Sequence, residues 1–343
     1  MRTCSDERFI RALAQQKLQR ADDDRLTGPS FSGDSDKPGL YLPLEFFHKR
    51  KILNSQQGQD NGHWKIESYQ LRAKTQSLPI QPSTLKSGLT VTFLGTGTSQ
   101  GVPMIGCDCD VCHSPDPRDQ RLRSSVYIET PECSWVVDTG TDFRTQALRE
   151  DIRRVDAVVF THSHTDHIMG FDDLRRFSHA RGSMPVYASA ETMADLERVF
   201  KFAFNKSNRV PYYLKPEPHI IDAPFKLGET LITPLQVPHG GSWVNGYLFS
   251  RADQKLVAYL SDCSAVPDAI VDLISGVKVF IIDALRDTPH PTHLSVGEAL
   301  NAAARVRPES TYFTHIGHDL PQAAESRLPI GVHIAYDGLK LKF

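Results

Sequence analysis

The 343-residue chain lacks the features that mark a membrane, secreted or nucleic-acid-binding protein. No apolar run approaches the roughly 20 residues that a helix needs to cross a bilayer. The first thirty residues mix acidic and basic side chains and contain no apolar segment typical of a signal peptide. The formal net charge is −2, which gives no general attraction to nucleic acid or anionic lipid. These absences predict a cytoplasmic protein with no membrane partner and argue against a nucleic-acid partner.

Cysteine is also scarce, but its distribution is uneven. Three of the six cysteines fall within six positions, at Cys107, Cys109 and Cys112. In an intracellular enzyme such a cluster binds a metal ion more often than it forms disulfides.

The composition changes near residue 87. Residues 1–86 contain turn-rich polar stretches such as 33–39 and 56–62, with only brief apolar patches between them. Because such a segment buries little apolar area per residue, we predict an N-terminal extension that is largely disordered or loosely docked. Strand and helix patterns alternate in the rest of the chain, which predicts one α/β domain over residues 87–343.

The most informative segment is the loop that follows the apolar run 157–160. It places His162, His164, Asp166 and His167 within six residues, directly after a predicted buried strand. One metal ion cannot easily use all four side chains of so short a loop, but two neighbouring ions can. We expect the first two histidines to face one ion and the Asp–His pair to face the other.

The same pattern of an apolar strand followed by a potential ligand recurs later in the chain. His239, Asp262 and His315 each follow a short apolar run. Strand ends of this kind converge on one edge of a sheet, where α/β proteins commonly place their chemistry. The sequence therefore predicts a metal site with seven ligands, in which Asp262 bridges two ions because a carboxylate has two oxygens.

The segment from His162 to His167 resembles the HxHxDH signature of the metallo-β-lactamase-fold hydrolases. The resemblance implies an α/β (α+β) fold, an αββα sandwich with a dinuclear metal site at the edge of the paired sheets. It also implies that Asp138, at the end of the preceding strand, orients the histidine loop. Such supporting partners generally fix the direction of a ligating imidazole.

A narrower resemblance is to the phosphoribosyl 1,2-cyclic phosphate phosphodiesterases. The glycine-rich segment 95–103 and the spacing of Cys107, Cys109 and Cys112 are similar to that subgroup. Its members carry a structural zinc held by the cysteine loop and a late histidine, which implies His318 here. His113 is a rival fourth ligand, although its adjacency to Cys112 makes the geometry awkward.

The implied chemistry is hydrolysis of a phosphodiester by a metal-dependent enzyme with two divalent ions, Zn²⁺ or Mn²⁺, at the active site. Two such ions lower the pKa of a bridging water and generate hydroxide, which attacks phosphorus. The family match assigns a catalytic role outside the ligand set to His293, as proton donor to the leaving alkoxide, with His290 as a second candidate. Asp166 is counted among both the catalytic residues and the metal ligands.

Three hypotheses for function follow. The first is hydrolysis of a small, cyclic phosphodiester, with a small-molecule partner and a possible homodimer as in the family. The second resembles the tRNA 3′-processing endoribonucleases, but the chain has no basic, glycine-rich arm of their kind. The third is a non-catalytic scaffold resembling the pyrroloquinoline quinone biosynthesis protein, whose relatives have degraded metal motifs. The complete ligand set favours catalysis.

Overall fold

Two β-sheets form the centre of the domain in a computed structural model, which describes residues 88–343 except Lys206, Asn208, Arg209 and Pro211. The predicted extension over residues 1–86 lies outside the described residues. Within those described, each sheet has seven strands, in the orders β14-β1-β2-β3-β4-β5-β6 and β13-β12-β11-β10-β9-β8-β7. In chain order the strands are β1 (Thr90–Gly95), β2 (Ser125–Glu129), β3 (Ser134–Val137), β4 (Ala157–Val159), β5 (Met184–Ala188), β6 (Pro216–Ile220), β7 (Phe225–Leu227), β8 (Thr230–His239), β9 (Ser242–Arg251), β10 (Gln254–Leu260), β11 (Val279–Asp283), β12 (Ser310–Thr314), β13 (Val332–Ile334) and β14 (Lys340–Lys342).

Helices connect these strands and cover the outer face of each sheet. In the described part of the chain they are α1 (Phe143–Arg149), α2 (Thr165–Ile168), α3 (Arg175–Arg181), α4 (Ala190–Val199), α5 (Lys201–Phe204), α6 (Asp268–Ile274) and α7 (Val296–Val306). Short 3₁₀ turns occur at Pro117–Asp119, Phe171–Leu174 and Gln322–Arg327. The start of α7 has the capping box that its sequence predicts, with Ser295 Oγ accepting from the Glu298 amide and Glu298 Oε2 accepting from the Ser295 amide.

The buried residues form three hydrophobic clusters, which separate four layers of helices and sheets. In β3, Trp135 and Val137 lie in the core between the two sheets, whereas Val136 lies in the cluster that includes α1 and α4 residues. In β11, Ile281 faces the other sheet, and Phe280 packs in the cluster that includes α6 and α7 residues. Because successive side chains of a strand point to opposite faces, both faces of each sheet are buried. The predicted αββα sandwich is confirmed.

The parallel strands of both sheets deliver polar residues to one edge. In the first sheet β3 pairs in parallel with β4, and Asp138 and His162 come after their carboxyl ends. In the second sheet β10, β11 and β12 run in parallel, with Asp262 following β10 and His315 following β12. His239 ends β8 at the tip of its hairpin with β9. The carboxyl ends of parallel strands share one edge, so residues far apart in the chain meet there.

Candidate active site

The seven predicted metal ligands lie together at this edge. Their ligand atoms form overlapping groups in which every atom lies within 4.8 Å of the others. These groups include His162–His164–His239, His162–His167–Asp262 and Asp166–His167–His315. His162 and His164 share one group and Asp166 and His167 share another, but His162 and His167 also share a group with Asp262, so the division of the loop between two ions stays a prediction.

Asp262 lies between these groups and is buried. Its Oδ1 is 3.3 Å from His167 Nε2, and its Oδ2 is 3.2 Å from His315 Nε2 and 3.9 Å from His239 Nε2. The two oxygens of one carboxylate therefore face imidazoles of both sets, which is the geometry that a bridging ligand requires.

Asp138 holds the histidine loop from behind. Its Oδ1 accepts from the Thr161 amide at 2.8 Å, and its Oδ2 accepts from Thr161 Oγ1 and from His167 Nδ1, each at 2.7 Å. Asp138 is fully buried and has a φ of 63°, which is uncommon for a residue with a side chain. With Nδ1 of His167 occupied in this way, Nε2 is the nitrogen left to bind a cation.

Two other histidines are oriented by the same principle. The hydroxyl of Thr161 donates its hydrogen to Asp138. In the 2.9 Å contact between Thr161 Oγ1 and His162 Nδ1, the ring nitrogen is therefore the donor. His239 Nδ1 donates to the Thr292 carbonyl at 2.8 Å. In both rings Nε2 is left to face the cluster. His162 Nε2 lies 2.9 Å from His164 Nδ1, so these two nitrogens converge on one point.

The cluster contains buried polar atoms that fit a bound cation. His167 Nε2, Asp262 Oδ1 and His315 Nε2 have no hydrogen-bond partner among the described residues. A buried polar atom without a partner costs free energy, and metal coordination is one way to satisfy it. Carboxylate and imidazole ligands without a thiolate suit zinc or manganese.

The charges of the cluster also call for a cation. Burial alone would raise the pKa of Asp262, but the charges of His315 and His167 outweigh it and hold the pKa well below its usual range. Burial alone would lower the pKa of His315, but Asp262 and Asp166 raise it to about 9. The pKa of His167 is likewise raised well above its ordinary value, because the effect of three carboxylates exceeds that of burial. A divalent cation can supply the same positive charge with the imidazoles neutral.

A close backbone contact fixes the position of the ligand loop. A Cβ atom at Gly140 would lie 1.9 Å from the Asp166 carbonyl oxygen, so only glycine allows this approach. Next to it, the Thr139 amide donates to the His167 carbonyl at 2.8 Å. The segment after β3 therefore supports the loop through its backbone as well as through Asp138.

A cavity of about 430 Å³ opens onto the cluster. Six of its lining residues are His164, Asp166, His239, Asp262, His293 and His315. The volume falls within the range of small-molecule binding sites. His290 also lines the cavity, with Nδ1 within 3.3 Å of the Thr292 amide nitrogen and 3.2 Å of the Thr292 hydroxyl.

His293 is held by Asp283, a residue that the sequence analysis missed. Asp283 Oδ2 lies 2.8 Å from His293 Nδ1 and also accepts from the Cys263 amide at 3.0 Å. The ring of His293 stacks on His315 with 4.5 Å between centroids, and its Nε2 is the nitrogen not engaged by Asp283. The sequence does contain a pattern that points to Asp283, because this residue ends the apolar run of β11 just as the predicted metal ligands follow other apolar strands.

The predicted zinc ligands form a second cluster. His318 Nδ1 lies 3.2 Å from Cys107 Sγ and 3.3 Å from Cys109 Sγ, and Cys112 completes the group. A tetrahedral zinc site has ligand-to-ligand distances of roughly 3.5 Å for such atoms, so the set fits the ion. The Cys112 amide, followed by His318, lowers the pKa of Cys109 to about 6, which favours the thiolate. His113, the rival ligand, is exposed and lies outside this group.

Comparison with known proteins identifies the family. A family model described as "Beta-lactamase superfamily domain" matches residues 135–316, which are more than half of the chain. This range includes all seven predicted ligands of the dinuclear site. The chain belongs to the β-lactamase superfamily. Its fold and family make it a metal-dependent hydrolase, and the superfamily fold implies divalent metal ions such as zinc.

Individual members of the superfamily are similar to different extents. The crystal structure of a new diphosphatase from the PhnP family is 42% identical, with a TM-score of 0.69, and the match covers 75% of this chain and 97% of that one. This likeness supports the resemblance to the phosphodiesterase subgroup. Zinc-bound PqqB from Methylobacterium extorquens, 19% identical with a TM-score of 0.60 over 74% of this chain and 99% of that one, shows the fold alone.

One curated relative is longer than this chain. The octanoyltransferase of Porphyromonas gingivalis is 32% identical over 256 residues, which are 72% of this chain and 50% of that protein. The chain thus spans about half the length of that relative. Among the helices that the structure describes in the present chain, none is both long enough and apolar enough to cross a membrane.

Substitution of Asp138 tests the support of the ligand loop. We expect Asp138→Asn to weaken metal binding by about 10- to 100-fold, the usual effect of removing a partner that orients a ligating imidazole. An amide presents only one acceptor oxygen, so it cannot hold Thr161 and His167 as the carboxylate does. Metal affinity measured by competition with a chelator checks this, with Asp156→Asn as a buried-carboxylate control away from the ligands. Unchanged affinity in Asp138→Asn would contradict the assigned role.

Substitution of Cys109 tests the separation of the two metal clusters. We expect about three ions per wild-type chain, and Cys109→Ser to lose one zinc while it keeps the dinuclear pair. Elemental analysis of the purified proteins measures this directly. Cys133→Ser serves as the control, because Cys133 lies outside the cysteine cluster. Loss of all the ions in Cys109→Ser would show that the clusters depend on one another.

Proposed function

We propose that this chain is a phosphodiesterase that hydrolyses a small, cyclic phosphodiester with two divalent metal ions, zinc or manganese. The observation that carries the proposal is the position of the complete ligand set, with His162, Asp262 and His315 among its members, at a cavity of small-molecule size. A structural zinc on the cysteine loop and His318 is part of the same proposal.

Similarity to the PhnP-family diphosphatase supports phosphoric ester chemistry in general. Its name also favours a second candidate, hydrolysis of a diphosphate bond. Both reactions need a nucleophile aligned with a leaving oxygen on phosphorus, so the same residues serve either of them. The two candidates differ in substrate and not in the architecture of the site.

The roles of the side chains follow from their directions. When bound, two divalent ions provide a nucleophilic water near neutral pH and neutralise charge on the phosphoryl oxygens. Asp138 and the carbonyl of Thr292 keep the Nε2 atoms of His167 and His239 aimed at the cluster. Asp262 would span both ligand sets, since its oxygens lie 3.3 Å from His167 Nε2 and 3.9 Å from His239 Nε2. Asp166 contributes its carboxylate to the set that contains His315.

His293 is assigned the proton for the leaving oxygen. Its Nδ1 is engaged by Asp283, so Nε2 is the atom that can reach a substrate in the cavity. Burial, followed by the charge of His315, lowers the pKa of His293 to about 4. A phosphodiester anion in the cavity would raise the pKa of His293, since a nearby negative charge favours the protonated ring. A ring protonated in this way would deliver its proton to the leaving oxygen from Nε2.

A substrate panel tests the proposal. The full-length protein, loaded with Zn²⁺ or Mn²⁺, is expected to hydrolyse bis(p-nitrophenyl) phosphate, a 2′,3′-cyclic nucleotide and phosphoribosyl 1,2-cyclic phosphate. A dinucleoside diphosphate and a tRNA precursor are included as competitors. Preference for the diphosphate bond would select the second candidate, and preference for the tRNA precursor would select the endoribonuclease hypothesis. Inactivity on the whole panel with every metal tried would overturn the proposal and restore the scaffold hypothesis.

A further inference from the structure

A second cavity, larger than the one at the metal ligands, lies between α1 and α3. Its volume is about 560 Å³, and none of the predicted metal ligands lines it. The residues that surround it come from α1, from the segment 152–156 that leads into β4, and from the region of α3. No role in the proposed hydrolysis uses this cavity.

Positive charge is concentrated around this cavity. Five arginines line it, against two aspartates: Arg144, Arg153, Arg154, Arg176 and Arg181, with Asp156 and Asp173. Such a surplus stands out on a chain whose net charge is −2. Arginine is the residue best suited to binding a phosphate or carboxylate, because its planar guanidinium can donate two parallel hydrogen bonds.

Part of this charge is not neutralised within the domain. Arg153 pairs with Asp151, and Arg154 and Arg181 both pair with Asp156, so two carboxylates serve three guanidinium groups. The side chains of Arg144 and Arg176 make no hydrogen bond or ion pair to residues that the structure describes, and both are exposed. Each guanidinium has five N–H donors, so the rim of the cavity has many donors available to an anion.

The floor of the cavity is apolar. Ala147, Ile152 and Phe177 are half-buried and pack against the hydrophobic cluster beneath α1 and α3. Leu148, also in the lining, is 65% exposed. Covering this surface with an apolar group would be favourable, because it removes apolar area from water.

We propose that this cavity binds an amphipathic anion, a phosphate or carboxylate group carried on an apolar chain or ring. The guanidinium groups of Arg144 and Arg176 hold the anionic group, and the apolar body lies over Leu148 and Phe177. The volume suits a ligand of this kind, since small-molecule sites generally measure about 300–1,000 Å³. The site is separate from the metal ligands and does not depend on the proposed hydrolysis.

Calorimetric titration of the metal-loaded full-length chain tests this. Octyl phosphate and octanoate are expected to bind at least about tenfold more tightly than inorganic phosphate alone, whereas the uncharged octyl glucoside does not bind. The tighter of the two charged ligands identifies which anionic group the cavity prefers.

Variants locate the binding. The double variant Arg144→Gln/Arg176→Gln is expected to weaken both alkyl anions by about tenfold or more and to leave phosphodiester hydrolysis unchanged. Leu148→Gln is expected to weaken the binding of the alkyl anions without changing the binding of inorganic phosphate. The matched control is Arg307→Gln, which removes an exposed guanidinium from the end of α7, outside this cavity. Equal affinity in the double variant and the wild type, or equal binding of octyl glucoside, would overturn the proposal.

Discussion

Asp262→Ala is expected to lower phosphodiester hydrolysis by roughly a thousandfold or more, the scale on which loss of a charge-stabilising group acts in an active site. Asp262 reaches imidazoles of both ligand sets, because its oxygens lie 3.3 Å from His167 Nε2 and 3.2 Å from His315 Nε2 in one set and 3.9 Å from His239 Nε2 in the other. Without it, the separation of the two cation positions is no longer fixed. Steady-state kinetics with bis(p-nitrophenyl) phosphate, together with elemental analysis, measures both consequences.

The control for this prediction is Asp272→Ala. Asp272 is exposed on α6, so its removal changes the formal charge by the same amount without touching the cluster. Thermal unfolding of both variants separates a loss of fold from a loss of the site. Wild-type rates and full metal content in a folded Asp262→Ala protein would contradict the bridging role.

His293→Ala is expected to have the second largest effect, and the size should depend on the leaving group. A positioned general acid contributes about 10²- to 10⁴-fold when the leaving oxygen is a poor one. The rate of hydrolysis of a 2′,3′-cyclic nucleotide, which releases an alkoxide, should therefore fall the most. Bis(p-nitrophenyl) phosphate, which releases a stable phenolate, should be affected far less. Comparison of kcat for the two substrates measures the difference.

Asp283→Asn should reproduce this dependence on the leaving group with a smaller loss, because Asp283 acts by orienting His293. His290→Ala tests the second candidate for the proton donor, and His333→Ala controls for removal of a partly exposed histidine. If the loss in His293→Ala were equal for both substrates, the ring would bind or position the substrate and would not donate the proton. If His290→Ala alone showed the dependence, the roles of the two histidines would be exchanged.

The fold and the class of chemistry could be predicted from the sequence because their signals are local. The HxHxDH segment from His162 to His167 lies on one loop, and its resemblance to a known family implied the sandwich that the structure confirms, whereas alternation of strands and helices predicted only an α/β domain. The cysteine cluster is equally local, since Cys107 to Cys112 span six positions. His318 was added only through the family resemblance, and it lies 211 positions from Cys107.

The contact between Asp283 and His293 could not be predicted from sequence patterns. It ends an apolar strand in the way that Asp262 follows one, yet its partner His293 is reached only through the loop that precedes α7. Periodicity along the chain places a residue at the end of a strand, but it does not say which other side chain it meets. That contact depends on the parallel pairing of β10, β11 and β12, which brings their carboxyl ends together.

Ligand type and spacing on one loop are properties of neighbouring residues, so the sequence alone indicates the ligands and fold of a metal-dependent hydrolase. The direction of each ring is set by contacts in the folded domain, as when Asp138 holds Nδ1 of His167 and leaves Nε2 for the cluster. The packing of α1 and α3 likewise gathers Arg144 and Arg176 around one cavity. Orientation and convergence depend on contacts between distant segments, which local patterns do not specify.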